Sequence, residues 1–292
     1  MVRPARFGFN AQTAASNAFQ RDSALDVEAV QQSALYEFDA FVASLRQRGI
    51  TVSVLHDTPH PPKPDAVFPN NWFSCSPNGP MILYPMLTPN RREERSPEAV
   101  RELLGVSGRR VVVDLTQWEQ AGAFLEGTGS VVFDHLHRRA FACLSPRTSR
   151  EAMQRLCQMI HYEAVCFTAS DAANTPIYHT NVMMGIGTKW AVVCAESIGD
   201  VEERALVLHA LCDRELILIS RDQMAAFSGN VMEVRNAAGE TFCLLSGSAF
   251  RAFSVEQLQQ LSAHAQPLVM EIPTIETVGG GSARCMVGEV FE

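Results

Sequence analysis

The chain has 292 residues, 47% of them hydrophobic and 19% charged, enough apolar material for a sizeable buried core. Its formal net charge of −8 argues against a nucleic-acid partner, which requires a basic face. No apolar run approaches the roughly 18–20 residues that span a bilayer. The opening MVRPARFGFN lacks a secretory n-region and h-region, so the expectation is a soluble, cytoplasmic protein with no membrane partner.

Five helix-start signals punctuate the chain: DVE at 26–28, SPE at 96–98, SRE at 149–151, DVE at 200–202 and SVE at 254–256. Each offers Asp or Ser as an N-cap and places Glu two residues on, near the positive end of the helix dipole. The stretches that follow repeat apolar residues every three or four positions, the signature of amphipathic helices. After each helix comes a short strand-like run: ITVSVL, RRVVVDL, AVCFTA, ELILIS and PLVMEIP. A polar cluster follows each run: FPNN (68–71), LEGTG (125–129), YHTN (178–181), SGNV (228–231) and GGGSARC (279–285). Further strand then resumes, and SVVFD with RAFACL, or NVMMGIG with KWAVVCAE, reads as a hairpin. The polar stretch TPNRREER (88–95) reads as an insertion into the first unit.

The spacing is regular. Helix starts two to five are 53, 51 and 54 residues apart, and only the first gap, 70, is longer. The cluster residues Asn71, Glu126, His179, Asn230 and Cys285 stand 55, 53, 51 and 55 apart. Such periodicity implies repeats of one supersecondary unit. Five equal α/β units close most simply into a ring, with inner strands around a pseudo-fivefold axis and helices outside. Residues 1–292 then form a single domain, and the polar clusters converge at the axis. The alternative, a parallel α/β sheet with a loose period, does not explain the hairpins.

Among the candidates for chemistry, Cys285 follows three glycines, which permit close backbone approach to a ligand. It is either a nucleophile or a core cysteine that opens the last strand. His179 interrupts an apolar stretch and is either a satisfied buried histidine or the acid/base partner of that cysteine. Glu126 is a carboxylate in an apolar strand, and such groups are seldom buried without a partner. Arg147, in CLSPRTS, is either a surface residue or a fork for a substrate carboxylate. Asp134 and Asp65 are undecided on the residues alone. Cys143, Cys166, Cys194 and Cys243 lie in apolar runs and there is no CxxC pair, so the cysteines read as reduced thiols. No phosphate loop, dinucleotide fingerprint or HExxH occurs, so no metal or organic cofactor is called for.

The fivefold unit, LEGTG, YHTN and GGGSARC together resemble the guanidine-modifying superfamily of pentein fold, which includes arginine deiminases, dimethylarginine hydrolases and glycine amidinotransferases. The resemblance implies a five-bladed α/β propeller of ββαβ-type units and a covalent mechanism without cofactor. In it Cys285 attacks the central carbon of a guanidino or ureido group. His179 protonates the leaving amine and then activates water, while Glu126 holds His179 and binds a substrate N–H. Arg147, in SPRT, binds the α-carboxylate of a small amino-acid substrate, and Asn230 and Asp134 join the substrate contacts.

Two positions depart from the pattern. Asn71 stands where arginine deiminases and dimethylarginine hydrolases have an acid, and Asn181 stands where many members have another. An amide is neutral and carries both donor and acceptor, which suits a ureido group better than a guanidinium. FGFN, FPNN and GGGSARC are similar to the citrulline-utilising hydrolase branch, so the expected reaction releases ornithine from citrulline. The rivals are an arginine-type deiminase, dihydrolase or amidinotransferase, and a non-catalytic pentein binder. The last has no use for the Cys/His/Glu set. A homodimer is compatible with all of these readings.

Overall fold

All five helix-start signals become capped helix N-termini in the computed structural model, which describes residues 1–24, 26–77, 79–108 and 112–291. Asp26 accepts from the Ala29 N–H at 2.9 Å and starts the Val27–Gln47 helix. Ser96 accepts from Ala99 at 3.1 Å ahead of Pro97–Ser107, where proline occupies the first turn. Ser149 caps Arg150–Ile160, and Asp200 caps Val201–Ala210 through the N–H groups of Glu202 and Glu203. Ser254 and Gln257 form a reciprocal capping box at Val255–Ser262. Each cap satisfies backbone donors that the helix itself cannot.

The strands assemble into four three-stranded sheets and one two-stranded sheet among the described residues. In each larger sheet a hairpin is extended by a parallel strand on the far side of a helix. Thus β6 (Val132–Asp134) pairs antiparallel with β7 (Arg139–Cys143), which pairs parallel with β8 (Glu163–Phe167). The same order holds for β3 (Phe73–Cys75), β4 (Met81–Leu83) and β5 (Val112–Asp114). It returns in β9 (Met184–Ile186), β10 (Trp190–Val193) and β11 (Glu215–Leu218), and in β12 (Met232–Arg235), β13 (Thr241–Ser246) and β14 (Gln266–Met270). The Arg109–Val111 part of the expected RRVVVDL strand lies outside the described residues. The middle strands are the most apolar, and every residue of β10 is buried, as expected for a strand covered on both faces.

The fifth unit departs from expectation. Its sheet has only β1 (Val2–Arg3) beside β2 (Leu55–His56), and MVGEV after Cys285 is not a strand. The Val287 carbonyl accepts from Arg284 Nη1 at 2.9 Å, which takes a group a ladder would need. Val290 and Phe291 still pack against the cluster that holds Trp72, Phe73 and Leu55. The polar clusters form short helical turns that touch in succession: Pro69–Asn71 meets Gly127–Ser130, which meets Thr180–Met183, while Ala283–Met286 meets Pro69–Asn71. No helix among the described residues is long and apolar enough to cross a membrane.

Candidate active site

The turns bring Asn71, Glu126, Arg147, His179, Asn181, Asn230 and Cys285 into one buried cluster. Glu126 is fully buried at the head of the Gly127–Ser130 turn, and its Oε2 lies 2.8 Å from His179 Nε2 and 3.5 Å from Arg147 Nη1. Burial alone would raise the Glu126 carboxyl, but Arg147 and the His179 hydrogen bond hold it down at about 2. Burial pushes His179 down to about 4, and the Glu126 contact offsets this only in part. At neutral pH the pair is therefore a carboxylate and a neutral imidazole, whose Nε2–H donates to Glu126 and whose Nδ1 carries a free lone pair.

Gly129 makes room for that Nδ1. A Cβ at Gly129 would stand 2.7 Å from His179 Nδ1 and would run into Asn71 Nδ2. The imidazole and the Asn71 amide are thus side by side, and the second glycine of LEGTG is a packing requirement.

Cys285 is 4% exposed and sits in the Ala283–Met286 turn. Its Sγ receives the Nδ2–H groups of Asn230 at 3.2 Å and of Asn181 at 3.5 Å, two neutral donors that would favour negative charge on the sulfur. Asn230 is itself fixed: its Oδ1 accepts from the Arg284 N–H at 3.0 Å and its Nδ2 also donates to the Asn181 carbonyl at 2.9 Å.

Asp134 does not join the cluster. Its carboxylate accepts from Arg214 Nη2 at 2.7 Å and lies 2.9 Å from His137 Nδ1, so the expected substrate contact is corrected to a structural ion pair. Asp65, left undecided by the sequence, does belong. It lines the same small cavity as Asn71, Arg147, His179 and Cys285, and its Oδ1 has no hydrogen-bond partner.

The sequence reading missed Arg91, in the TPNRREER insert. This segment contains a helical turn, Pro89–Arg92, that buries Arg91 at the site. Its guanidinium pairs with Glu94 at 2.8 and 3.0 Å, approaches Asp65 at 3.7 Å and donates from Nη1 to Asn71 Oδ1 at 2.6 Å. Tyr178 was read only as part of its motif. Its hydroxyl donates to the Gly280 carbonyl at 2.6 Å, and Arg147 lies over its ring at 5.1 Å.

The cavity among these groups is about 10 Å³, room for a single water. The segment from Asn10 to Arg21 borders it through Asn17 and bonds to its wall. Arg147 donates to the Thr13 carbonyl at 3.1 Å and to Ser16 Oγ at 2.7 Å, and Asn17 Nδ2 reaches the Gly279 and Gly280 carbonyls. Gly280 has φ +64°, and a Cβ there would meet Asn17 and Gln20. Among the described residues, no group of three or more His, Cys, Asp or Glu could hold a metal ion.

The fold, with a Cys, His and Glu gathered at its turns, defines a protein of the pentein guanidino-modifying superfamily. The family model described as N,N dimethylarginine dimethylhydrolase, eukaryotic, matches residues 3–292, and the chain belongs to that family. Among solved structures it is similar to the N-terminal domain of ArgZ bound to substrate, an arginine dihydrolase from the ornithine-ammonia cycle in cyanobacteria. The TM-score is 0.77 at 14% identity, covering 100% of this chain and 97% of that domain. It covers 40% of the longer ArgZ chain in the apo structure. A complex of an AgrE variant with L-arginine matches at TM-score 0.76 and 17% identity, over 98% of this chain and 39% of that one. DDAH from Pseudomonas aeruginosa, in complex with citrulline, matches at 0.67 and 14%, over 98% and 95%. No curated protein matches.

Proposed function

We propose that this chain hydrolyses a ureido amino acid, citrulline foremost, to ornithine, carbon dioxide and ammonia through a covalent bond to Cys285. The observation that carries the choice of headgroup is the orientation of Asn71. A guanidinium has only donors, so the 2.6 Å contact from Arg91 fixes Oδ1 of Asn71 toward Arg91. Nδ2 is therefore the group on the Gly129 side, near His179; one of its hydrogens goes to Asn70 Oδ1 at 3.2 Å and the second is left to offer to a ligand. A ureido oxygen accepts that N–H, whereas a guanidinium would meet a donor and lose charge compensation.

The other end of the cavity suits a zwitterion. Arg147 presents a fork for the α-carboxylate, in place of Thr13 and Ser16 when the Asn10–Arg21 segment swings away. The unpartnered Oδ1 of Asp65 suits the α-ammonium. Burial raises the Asp65 carboxyl, and a cation bound there would favour its ionised form.

The thiol gives its proton to His179 Nδ1 as Sγ attacks the ureido carbon, while Asn181 and Asn230 steady the sulfur. His179 passes that proton to the departing amine, and the carbon–nitrogen bond to ornithine breaks. A thiocarbamate remains on Cys285. Neutral again, His179 takes a proton from water, whose oxygen adds to the thiocarbamate carbon. Sulfur leaves, takes the proton back, and the carbamic acid falls apart to carbon dioxide and ammonia.

A second reading, an arginine substrate, has one observation in its favour: the free Asp65 Oδ1 could face a guanidinium. The similar structures named for arginine dihydrolase activity also agree with it. Product analysis with each amino acid separates the two. The expected result is ornithine and ammonia from citrulline, with arginine at least tenfold slower, and the preference reversed or erased by Asn71→Asp. Rapid turnover of arginine with citrulline inert would contradict the ureido assignment.

A further inference from the structure

Two buried carboxylates outside the catalytic set hold the segment that leads to Cys285, and among the described residues neither has a cationic partner within ion-pair distance. Glu37, on the Val27–Gln47 helix, accepts from the N–H groups of Thr274 and Ile275 at 2.8 and 3.0 Å. Glu276 is 5% exposed, and its Oε1 accepts from Ser282 Oγ at 2.6 Å. Burial raises the Glu276 carboxyl, and Ser246, Ser248 and Ser282 offset that in part. A buried carboxylate without a countercharge is costly unless hydrogen bonds satisfy it, and here the Ser282 hydroxyl supplies one.

The geometry links Glu276 to the nucleophile. Its backbone carbonyl accepts from the Gly280 N–H at 2.9 Å, so it fixes one side of the glycine triplet. Its carboxylate fixes the other side through Ser282. Ser282 precedes the Ala283–Met286 turn but makes no side-chain cap to it, its hydroxyl being given to Glu276. The Ser282 carbonyl in turn accepts from the Cys285 N–H at 2.9 Å. Asn17 and Tyr178 hold the Gly279 and Gly280 carbonyls, and the Glu276–Ser282 bond fixes the step from the glycines into the Cys285 turn.

We propose that Glu276, acting through Ser282, is a positioning residue that holds Cys285 Sγ beneath the amide N–H groups of Asn181 and Asn230. This rests on Cys285 being the nucleophile, as argued above. A displacement of about 1 Å at a reacting atom can cost about 10²-fold in rate. Glu276→Ala and Ser282→Ala should each lower kcat about 10- to 100-fold and leave KM within about twofold. The double variant should be no worse than either single one, because both cut the same link. Glu276→Gln, which keeps an acceptor for Ser282, should recover most of the rate.

A second readout needs no substrate. Iodoacetamide alkylation of Cys285, followed by peptide mapping against pH, should shift its midpoint upward in Glu276→Ala and Ser282→Ala as the sulfur loses its two donors. An unshifted midpoint with kcat near the parent value in Ser282→Ala, or losses that multiply in the double variant, would overturn the proposal. Ser282→Ala removes only a hydroxyl and decides the matter if Glu276→Ala does not fold. If the parent turns over neither citrulline nor arginine, the proposed function fails, and the alkylation midpoint still tests this link.

Discussion

His179 and Glu126 share one short hydrogen bond. With Glu126 held ionised and His179 neutral, the proton on Nε2 is committed, and in the proposed reaction Nδ1 is the nitrogen left to move a proton. Glu126→Gln replaces the fixed acceptor by an amide that can also present a donor, so the tautomer is no longer enforced. Steady-state kinetics should show kcat reduced about 10²-fold or more with the fold intact. A loss under threefold would mean that Glu126 serves packing alone. At this scale the sequence was informative where residues recur at equivalent positions, since Cys285, His179 and Glu126 each occupy a polar turn. It was silent where a partner comes from far along the chain. Asp134 is committed to Arg214, 80 residues away, and no local pattern reports that. Arg91 hides in RREER, a charge run that normally denotes solvated surface.

At the level of elements, hydrogen-bonded caps account for the regularity. The five Asp or Ser residues foreseen as N-caps all accept from the first turn of their helices. Ser149→Ala should cost about 1 kcal/mol, or about 2–4 °C in Tm for a chain of this size, without affecting KM. Thermal melts check this, and an unchanged Tm would mean that the cap is redundant. Hairpins were equally legible, because alternation and β-branched runs are local, whereas the parallel pairing of each sheet's third strand was not foreseen. Nor was the missing strand after Cys285. There the Val287 carbonyl accepts from the Arg284 side chain rather than from a neighbouring strand, a partner that no local pattern reports.

For the whole molecule, the folded state keeps His179 well below its ordinary 6.5. The sign follows from linkage. An unfolded chain binds the proton first as pH falls below 6.5, and the folded chain follows only near 4, so stability present at pH 7 is lost across that window. Between pH 7 and 5 the parent should therefore lose more Tm than His179→Gln, by an amount on the order of a few degrees. Equal losses would place His179 in a more solvated setting than the one described. The narrowness of the cavity is also a property of the whole. In the proposed reaction the Asn10–Arg21 segment gives up its bonds to Arg147 and the glycine carbonyls to admit an amino acid, and no repeat pattern foretold that contact.

The most direct test of the central claim is intact-mass spectrometry of the protein mixed briefly with citrulline and quenched in acid. The account predicts a carbamoyl-sized adduct mapped to Cys285, absent from Cys285→Ser, with ornithine released in step. Ornithine release without any adduct, or equal turnover by Cys285→Ser, would contradict it.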